Sequence, residues 1–64
     1  MLRINGNEVQ CEGMSLSEYL EETQYDVSRI AIEINGEIIP KAAYDNTILQ
    51  DGDSVEIVSF VGGG

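Results

Sequence analysis

The chain has no histidine, a single cysteine, a single proline and only three basic residues among 64. Each shortage removes a class of function. Without histidine the usual general base at neutral pH is missing, and a zinc site has almost no ligands left. One cysteine excludes an internal disulfide framework. Cys11 lies on the strand face of Val9 with no cation nearby in sequence to lower its pKa, so it reads as a half-buried structural thiol. Three basic residues against twelve acidic ones give a formal charge of -9. A surface that negative repels phosphate backbones and anionic lipid, which argues against nucleic-acid and membrane partners. It favours docking on a basic protein surface, or it serves solubility alone.

Other signals are equally absent. No apolar run approaches the roughly 20 residues that cross a bilayer. Met1-Leu2-Arg3-Ile4-Asn5 reads straight into a strand and not into a signal peptide, so a cytoplasmic protein, monomeric when free, is expected. There are no repeats, low-complexity tracts or linkers to a second domain. No serine has a histidine- or lysine-based partner pattern, and no glycine-rich phosphate loop precedes a helix. Asp51-Gly52-Asp53 lacks the order and the closing glutamate of a calcium loop. The paired carboxylates Glu21-Glu22 and Asp51/Asp53 are explained by a helix face and a turn. Enzyme activity within this chain alone is not expected, and neither is a bound metal or cofactor.

What is present is a small α+β domain. At 42% hydrophobic the composition is globular, near the lower size limit for a single core. Residues 1–12 read as a hairpin: Leu2 and Ile4 alternate with polar neighbours, and Asn5-Gly6 tolerates the positive φ of a tight turn. Ser15-Leu16-Ser17-Glu18 fits a capping box, and Leu16, Tyr19, Leu20 and Thr23 form one stripe of a helix over 15–24. Ile30, Ile32 and Ile34 make a central strand that ends at Asn35-Gly36. Glu37-Ile38-Ile39 returns briefly, and Pro40 confines it to an edge. Tyr44, Ile48 and Leu49 are expected to plug the core from a loop. A turn at Asp51-Gly52-Asp53 leads into the last strand, Val55 to Val61. The order predicts one mixed sheet with the helix across one face.

The last strand carries two apolar sets. Val55 and Ile57 share one face; Val58 and Phe60 share the other with Glu56. One helix covers one face of a sheet, so Val55 and Ile57 are expected beneath it, with Val58 and Phe60 left as an exposed docking patch. The competing reading has Phe60 folded over residues 41–50 as core. Gly62, Gly63 and Gly64 follow, forming with residues 1–61 a domain plus a flexible tail. A frayed end or a linker is one reading. The other is that the thin tail presents a reactive group, the α-carboxylate of Gly64. A carboxylate must become a mixed anhydride before a nucleophile takes its acyl carbon, and a separate enzyme would have to supply that activation.

Asn35-Gly36-Glu37-Ile38-Ile39-Pro40, Asp51-Gly52-Asp53, Val55-Glu56-Ile57-Val58 and Gly62-Gly63-Gly64, in register with the Ser-Leu-x-Glu helix start, resemble the ThiS family of sulfur carriers of thiamine biosynthesis. The resemblance covers essentially the whole chain. It implies a ubiquitin-like β-grasp fold. It also implies adenylation of Gly64 by a ThiF-type enzyme using ATP and Mg²⁺, then conversion to a thiocarboxylate. The sulfur would come from a donor such as a cysteine desulfurase or a persulfide and go to thiazole synthase. Gly62 and Gly63 would thread the active-site channel; family carriers often end in two glycines where this chain has three, so Gly63-Gly64 is the closer match. The alternatives are the small subunit of molybdopterin synthase, another thiocarboxylate carrier, a conjugating modifier, and a ubiquitin-like binding module without tail chemistry. The Asn-Gly-Glu-x-x-Pro stretch favours the thiamine branch.

Overall fold

Both Asn-Gly pairs turn the chain as their chemistry requires. Asn5 and Gly6 have φ of 51° and 83°, Asn35 and Gly36 of 53° and 85°. Paired positive φ values give the tight hairpin turn whose twist matches its flanking strands. The first turn joins β1 (Leu2–Ile4) to β2 (Asn7–Val9), with Leu2 opposite Val9. The second joins β3 (Ile30–Ile34) to β4 (Glu37–Ile39), with Ile34 opposite Glu37. The structure is a computed structural model and describes residues 1–60; Val61 and the tail residues Gly62, Gly63 and Gly64 lie outside the described residues.

The capping box forms as expected. The Ser15 hydroxyl accepts from the Glu18 amide at 3.1 Å, and the Glu18 carboxylate accepts from the Ser15 amide at 2.9 Å. The helix α1 spans Leu16–Glu21, shorter than the expected 15–24. Thr23 is the reason: its hydroxyl donates to the Leu20 carbonyl at 2.8 Å and accepts from the Tyr25 amide at 3.3 Å. That side chain satisfies a terminal carbonyl and turns the backbone away, as threonine does when it competes with the helix ladder. Of the stripe, Leu16 and Leu20 are buried, while Tyr19 and Thr23 are half-buried.

The last strand, β5 (Ser54–Ser59), occupies the middle of a five-stranded sheet of order β2-β1-β5-β3-β4. It runs parallel to β1 and antiparallel to β3, so the sheet is mixed. β4 is an edge and stops before Pro40, where a missing amide does no harm. Leu2, Ile4, Leu16, Leu20, Ile30, Ile32, Val55 and Ile57 close one core between the sheet and α1. Tyr44 and Leu49 join it, the latter wholly buried.

Ile48 does not plug the core; it is 47% exposed. It forms an isolated antiparallel bridge with Ser15, and the Leu49 amide donates to the Met14 carbonyl at 2.8 Å. In extended backbone neighbouring side chains point to opposite sides, so sending Leu49 inward turns Ile48 out. β2 also ends sooner than the expected hairpin. Beyond Val9 the chain turns, with the Gly13 amide donating to the Leu49 carbonyl, and Cys11 is buried by that turn instead of by a ladder. Among the described residues no helix is long and apolar enough to cross a membrane.

Candidate functional site

β5 is the element that delivers the chain to its C-terminal end, and the sequence fixes it from three directions. At its start, the Asn35 side-chain oxygen accepts from the Ser54 amide at 2.9 Å, and its side-chain amide donates to Asp53 at 3.1 Å. The Asp53 carboxylate also accepts from the Gln50 amide at 3.0 Å, closing the turn before the strand. On the β1 side, the amides of Arg3 and Asn5 donate to the carbonyls of Asp53 and Val55, both at 2.9 Å. β1 then leaves through its Asn-Gly turn, and the Asn5 side chain continues the ladder one step further. Its oxygen accepts from the Ile57 amide at 2.8 Å while its amide donates to the Ile57 carbonyl at 3.1 Å. On the far side β3 pairs with the strand from Ile34–Val55 to Ile30–Ser59, and the Phe60 amide donates to the Arg29 carbonyl at 2.7 Å. Asparagine-glycine pairs signal turns in a sequence; their side-chain role on a distant strand carries no local signal.

The two faces of β5 divide as expected. Val55 and Ile57 are buried under the helix side. Val58 and Phe60 are each 53% exposed, which overturns the reading of Phe60 as core beneath residues 41–50. On the same outer face, Glu56 stands directly opposite Glu33 on β3, Val58 opposite Ala31, and Glu33 opposite Ile38 on β4. Ile38 is the most exposed of these apolar residues. The described part of the candidate site is therefore an apolar outer surface at the end of the central strand, divided by two carboxylates. Gly62, Gly63 and Gly64, the other candidate residues, lie outside the described residues.

Ionic groups sit around the rims of the sheet. The Met1 ammonium pairs with Asp51 and, at 3.2 Å, with Glu12. Hydrogen bonds to Asp51 and then Glu12 hold that amine above its ordinary range, and the bond from the amine holds the Asp51 carboxyl below its own. Asp26 caps the turn Val27–Arg29, near where β5 ends. Its carboxyl is lowered first by the Ser28 hydroxyl and amide and then by Arg29, 3.7 Å away. Cys11 is buried, and desolvation, with Glu12 and Glu22 adding to it, pushes its thiol up. That is the environment of a structural cysteine, although Cys11 lies beyond β2 and not on a strand as the alternation with Val9 predicts. Among the described residues no three histidine, cysteine or acidic side chains are grouped to hold a metal ion. An open groove of about 280 Å³ between Ile34, Ile39, Ile48 and Gln50 lies beside the start of β5, not beside the end that leads to the tail.

The ThiS family profile matches residues 2–64. The sulfur carrier protein ThiS of Bacillus subtilis (strain 168) is 38% identical over 66 aligned positions that cover the whole of both chains. A thiazole synthase of Paramagnetospirillum magneticum is 42% identical over 64 positions, which span 98% of this chain but 20% of that longer protein. The crystal structure of the thiamine biosynthesis protein ThiS from Geobacter metallireducens superposes with a TM-score of 0.72 at 35% identity, covering 98% of this chain and 97% of that one. The mixed five-stranded sheet with one short helix is thus the β-grasp-like α+β fold that the sequence resemblance implied.

Proposed function

This chain belongs to the ThiS family, sulfur carriers of thiamine biosynthesis and not enzymes, and on that premise we propose that the α-carboxylate of Gly64 is the group that carries the sulfur. The observation that bears the most weight is that the family match runs through residue 64, so the terminal glycines fall within the shared region. The family match also sets aside the molybdopterin alternative in favour of the thiamine branch.

The chemistry follows from the carboxylate. A Gly64 oxygen attacks the α-phosphorus of ATP on a ThiF-type adenylating enzyme, pyrophosphate leaves, and an acyl adenylate forms with Mg²⁺ supplied by that enzyme. Hydrosulfide, released when a thiol reduces the persulfide formed on a donor such as a cysteine desulfurase and is itself oxidised to a disulfide, then attacks the acyl carbon. AMP departs with its bonding electrons and a proton goes to solvent, leaving a thiocarboxylate. Gly63 and Gly62 carry no Cβ, so a narrow channel in either enzyme can admit them. Val58 and Phe60 are the docking residues, placed on β5 directly before the tail and exposed on the face that α1 does not cover. Thiazole synthase is the acceptor partner in this reading; a protein of that name containing a segment similar to nearly this whole chain supports the pairing. In this reading the carrier works in the cytoplasm beside its ATP-dependent partner.

The test is intact-mass measurement after incubation with a ThiF-type enzyme, ATP, Mg²⁺ and sulfide. Exchange of one terminal oxygen for sulfur is expected. Deleting Gly63 and Gly64 together, which leaves a single terminal glycine, should abolish the exchange while leaving the melting temperature unchanged, because glycine has no side chain to pack. An unchanged wild-type mass under conditions that convert a known ThiS carrier refutes the proposal.

A further inference from the structure

The chain carries two Asn-Gly pairs, and the fold holds their side chains differently. Both asparagines sit at positive φ in hairpin turns, each followed by a glycine with no Cβ to shield its amide nitrogen. Each side-chain amide carbon is therefore an electrophile next to an unhindered nucleophile. The other asparagines, Asn7 and Asn46, precede Glu8 and Thr47, whose side chains crowd the same approach. In the folded chain both exposed turns aim their asparagine side chains at β5 or the turn that leads into it. Asn5 is bound at both ends to the backbone of Ile57, at 2.8 Å and 3.1 Å in a part-buried site, and its amide also reaches the Tyr25 hydroxyl at 3.4 Å. Asn35 accepts from the Ser54 amide at 2.9 Å and donates to the Asp53 carboxylate at 3.1 Å, and both of those bonds are exposed.

We propose that Asn35 is a modification site, at which the folded chain loses ammonia spontaneously, while the clamp on Ile57 protects Asn5 from the same reaction. No partner is needed. The Gly36 amide nitrogen gives its proton to water and attacks Cγ of Asn35. A new C–N bond closes a succinimide ring, the Cγ–Nδ2 bond breaks, and ammonia leaves after taking a proton from solvent. Water then opens the ring at either carbonyl, giving aspartate or isoaspartate with no oxidation or reduction. Ring closure requires the side chain to leave its partners. Water replaces the exposed partners of Asn35 at little cost, whereas releasing Asn5 leaves the part-buried amide and carbonyl of Ile57 without theirs. The products disturb the fold locally. Aspartate puts a carboxylate where an amide donated to Asp53, so two like charges face each other at the start of β5. Isoaspartate adds a backbone atom to a turn whose length sets the register of β3 on β4.

The experiment incubates the full folded chain at mildly alkaline pH and follows both sites by mass spectrometry after unfolding and trypsin. Cleavage after Arg3, Arg29 and Lys41 puts Asn5 in residues 4–29 and Asn35 in residues 30–41, so the two are read separately, and fragmentation assigns the residue. Asn35 should exchange its NH₂ for OH about tenfold faster than Asn5, which corresponds to about 1.4 kcal/mol of additional clamping at Asn5. In urea the two rates should fall within about twofold of each other, because an unfolded chain holds neither side chain. The consequence is read on variants. Asn35→Asp should lower the melting temperature, and Asp53→Asn added to it should restore it, since the new side-chain amide donates to the carboxylate. An Asn35 that reacts no faster than Asn5 in the folded chain, or a preference that persists unchanged in urea, overturns the proposed site. A double variant that melts no higher than Asn35→Asp overturns the repulsion.

Discussion

The Asn5 side chain tests how β5 is held. β1 and β5 share only two paired positions, Arg3–Ser54 and Ile4–Val55, before β1 turns away. Asn5 then supplies both a donor and an acceptor to the backbone of Ile57, at a φ of 51° that few residues other than asparagine and glycine adopt cheaply. Two replacements separate these contributions. Asn5→Gly keeps the backbone conformation and removes the hydrogen bonds. At about 1 kcal/mol for each of the two bonds, the loss is about 2 kcal/mol. Asn5→Ala removes the same bonds and adds roughly 1–2 kcal/mol for a Cβ in the left-handed region, for a total of about 3–4 kcal/mol. In a domain of this size the glycine variant should melt about 8–16 °C below the wild type. The alanine variant should lose most of the roughly 3–5 kcal/mol that such a core supplies. Urea titrations followed by circular dichroism, with the slope m unchanged, measure both. A glycine variant within about 0.5 kcal/mol of wild type shows that water replaces the side chain equally well, and the clamp contributes nothing. Equal losses for glycine and alanine refute the backbone argument.

Two further perturbations probe the frame around that strand. Ser15→Ala removes the hydroxyl that accepts the Glu18 amide and should cost about 1 kcal/mol in the same titration; Glu18→Ala made on top of it should add less than it does alone, since both belong to one capping box, and strict additivity refutes the coupling. The Met1–Asp51 pair gives a pH signature at each end of the range. The folded Asp51 carboxyl is lowered, so its contribution is present above the unfolded carboxylate's value and is lost as pH falls through the folded one; the folded Met1 amine is raised, so its contribution is complete below the unfolded amine's value and is lost as pH rises through the folded one. Melting curves of wild type and Asp51→Asn should therefore differ at neutral pH, converge in strong acid and in alkali, and converge also in high salt because the pair is exposed; a difference independent of pH refutes the assignment.

Features fixed by near neighbours were legible in the sequence. The capping box, both Asn-Gly turns, the isoleucine alternation of β3 and the edge position of Pro40 depend on residues within a few positions of one another, and each is found where its chemistry put it. The same local rule identified Val58 and Phe60 as exposed, because alternation along one strand is enough once Val55 and Ile57 are committed to the core. The errors share a different origin. The end of α1 depends on which of several partners the Thr23 hydroxyl takes. The facing of Ile48 depends on a bridge to Ser15, 33 positions away. The clamps of Asn5 on Ile57 and the pairing of Glu33 with Glu56 depend on strand order, which puts the last strand between the first and the third. Alternation assigns a side chain to a face; it does not say what stands beside it.

That strand order bears directly on the proposed chemistry. A terminal segment with almost no side chains has nothing of its own with which to define where it begins, so its root must be defined by the domain. An edge strand would fix that root from one side only and leave a free ladder beside it. β5 is instead bonded to β1 and the Asn5 amide on one side and to β3 on the other, with its last described bond made by Phe60 to Arg29. The single short helix closes only the face of Val55 and Ile57, and so leaves the opposite face of the same strand open. On the proposed reading, a partner that binds the exposed Val58 and Phe60 therefore grips the strand that leads to the terminal glycines. On this argument, lengthening the chain after Phe60 by inserted glycines should leave docking unchanged and slow adenylation, whereas Val58→Ala should weaken docking first. Kd and adenylation rate measured on the two variants separate the grip from the reach, and a glycine insertion that weakens docking as much as Val58→Ala refutes the division.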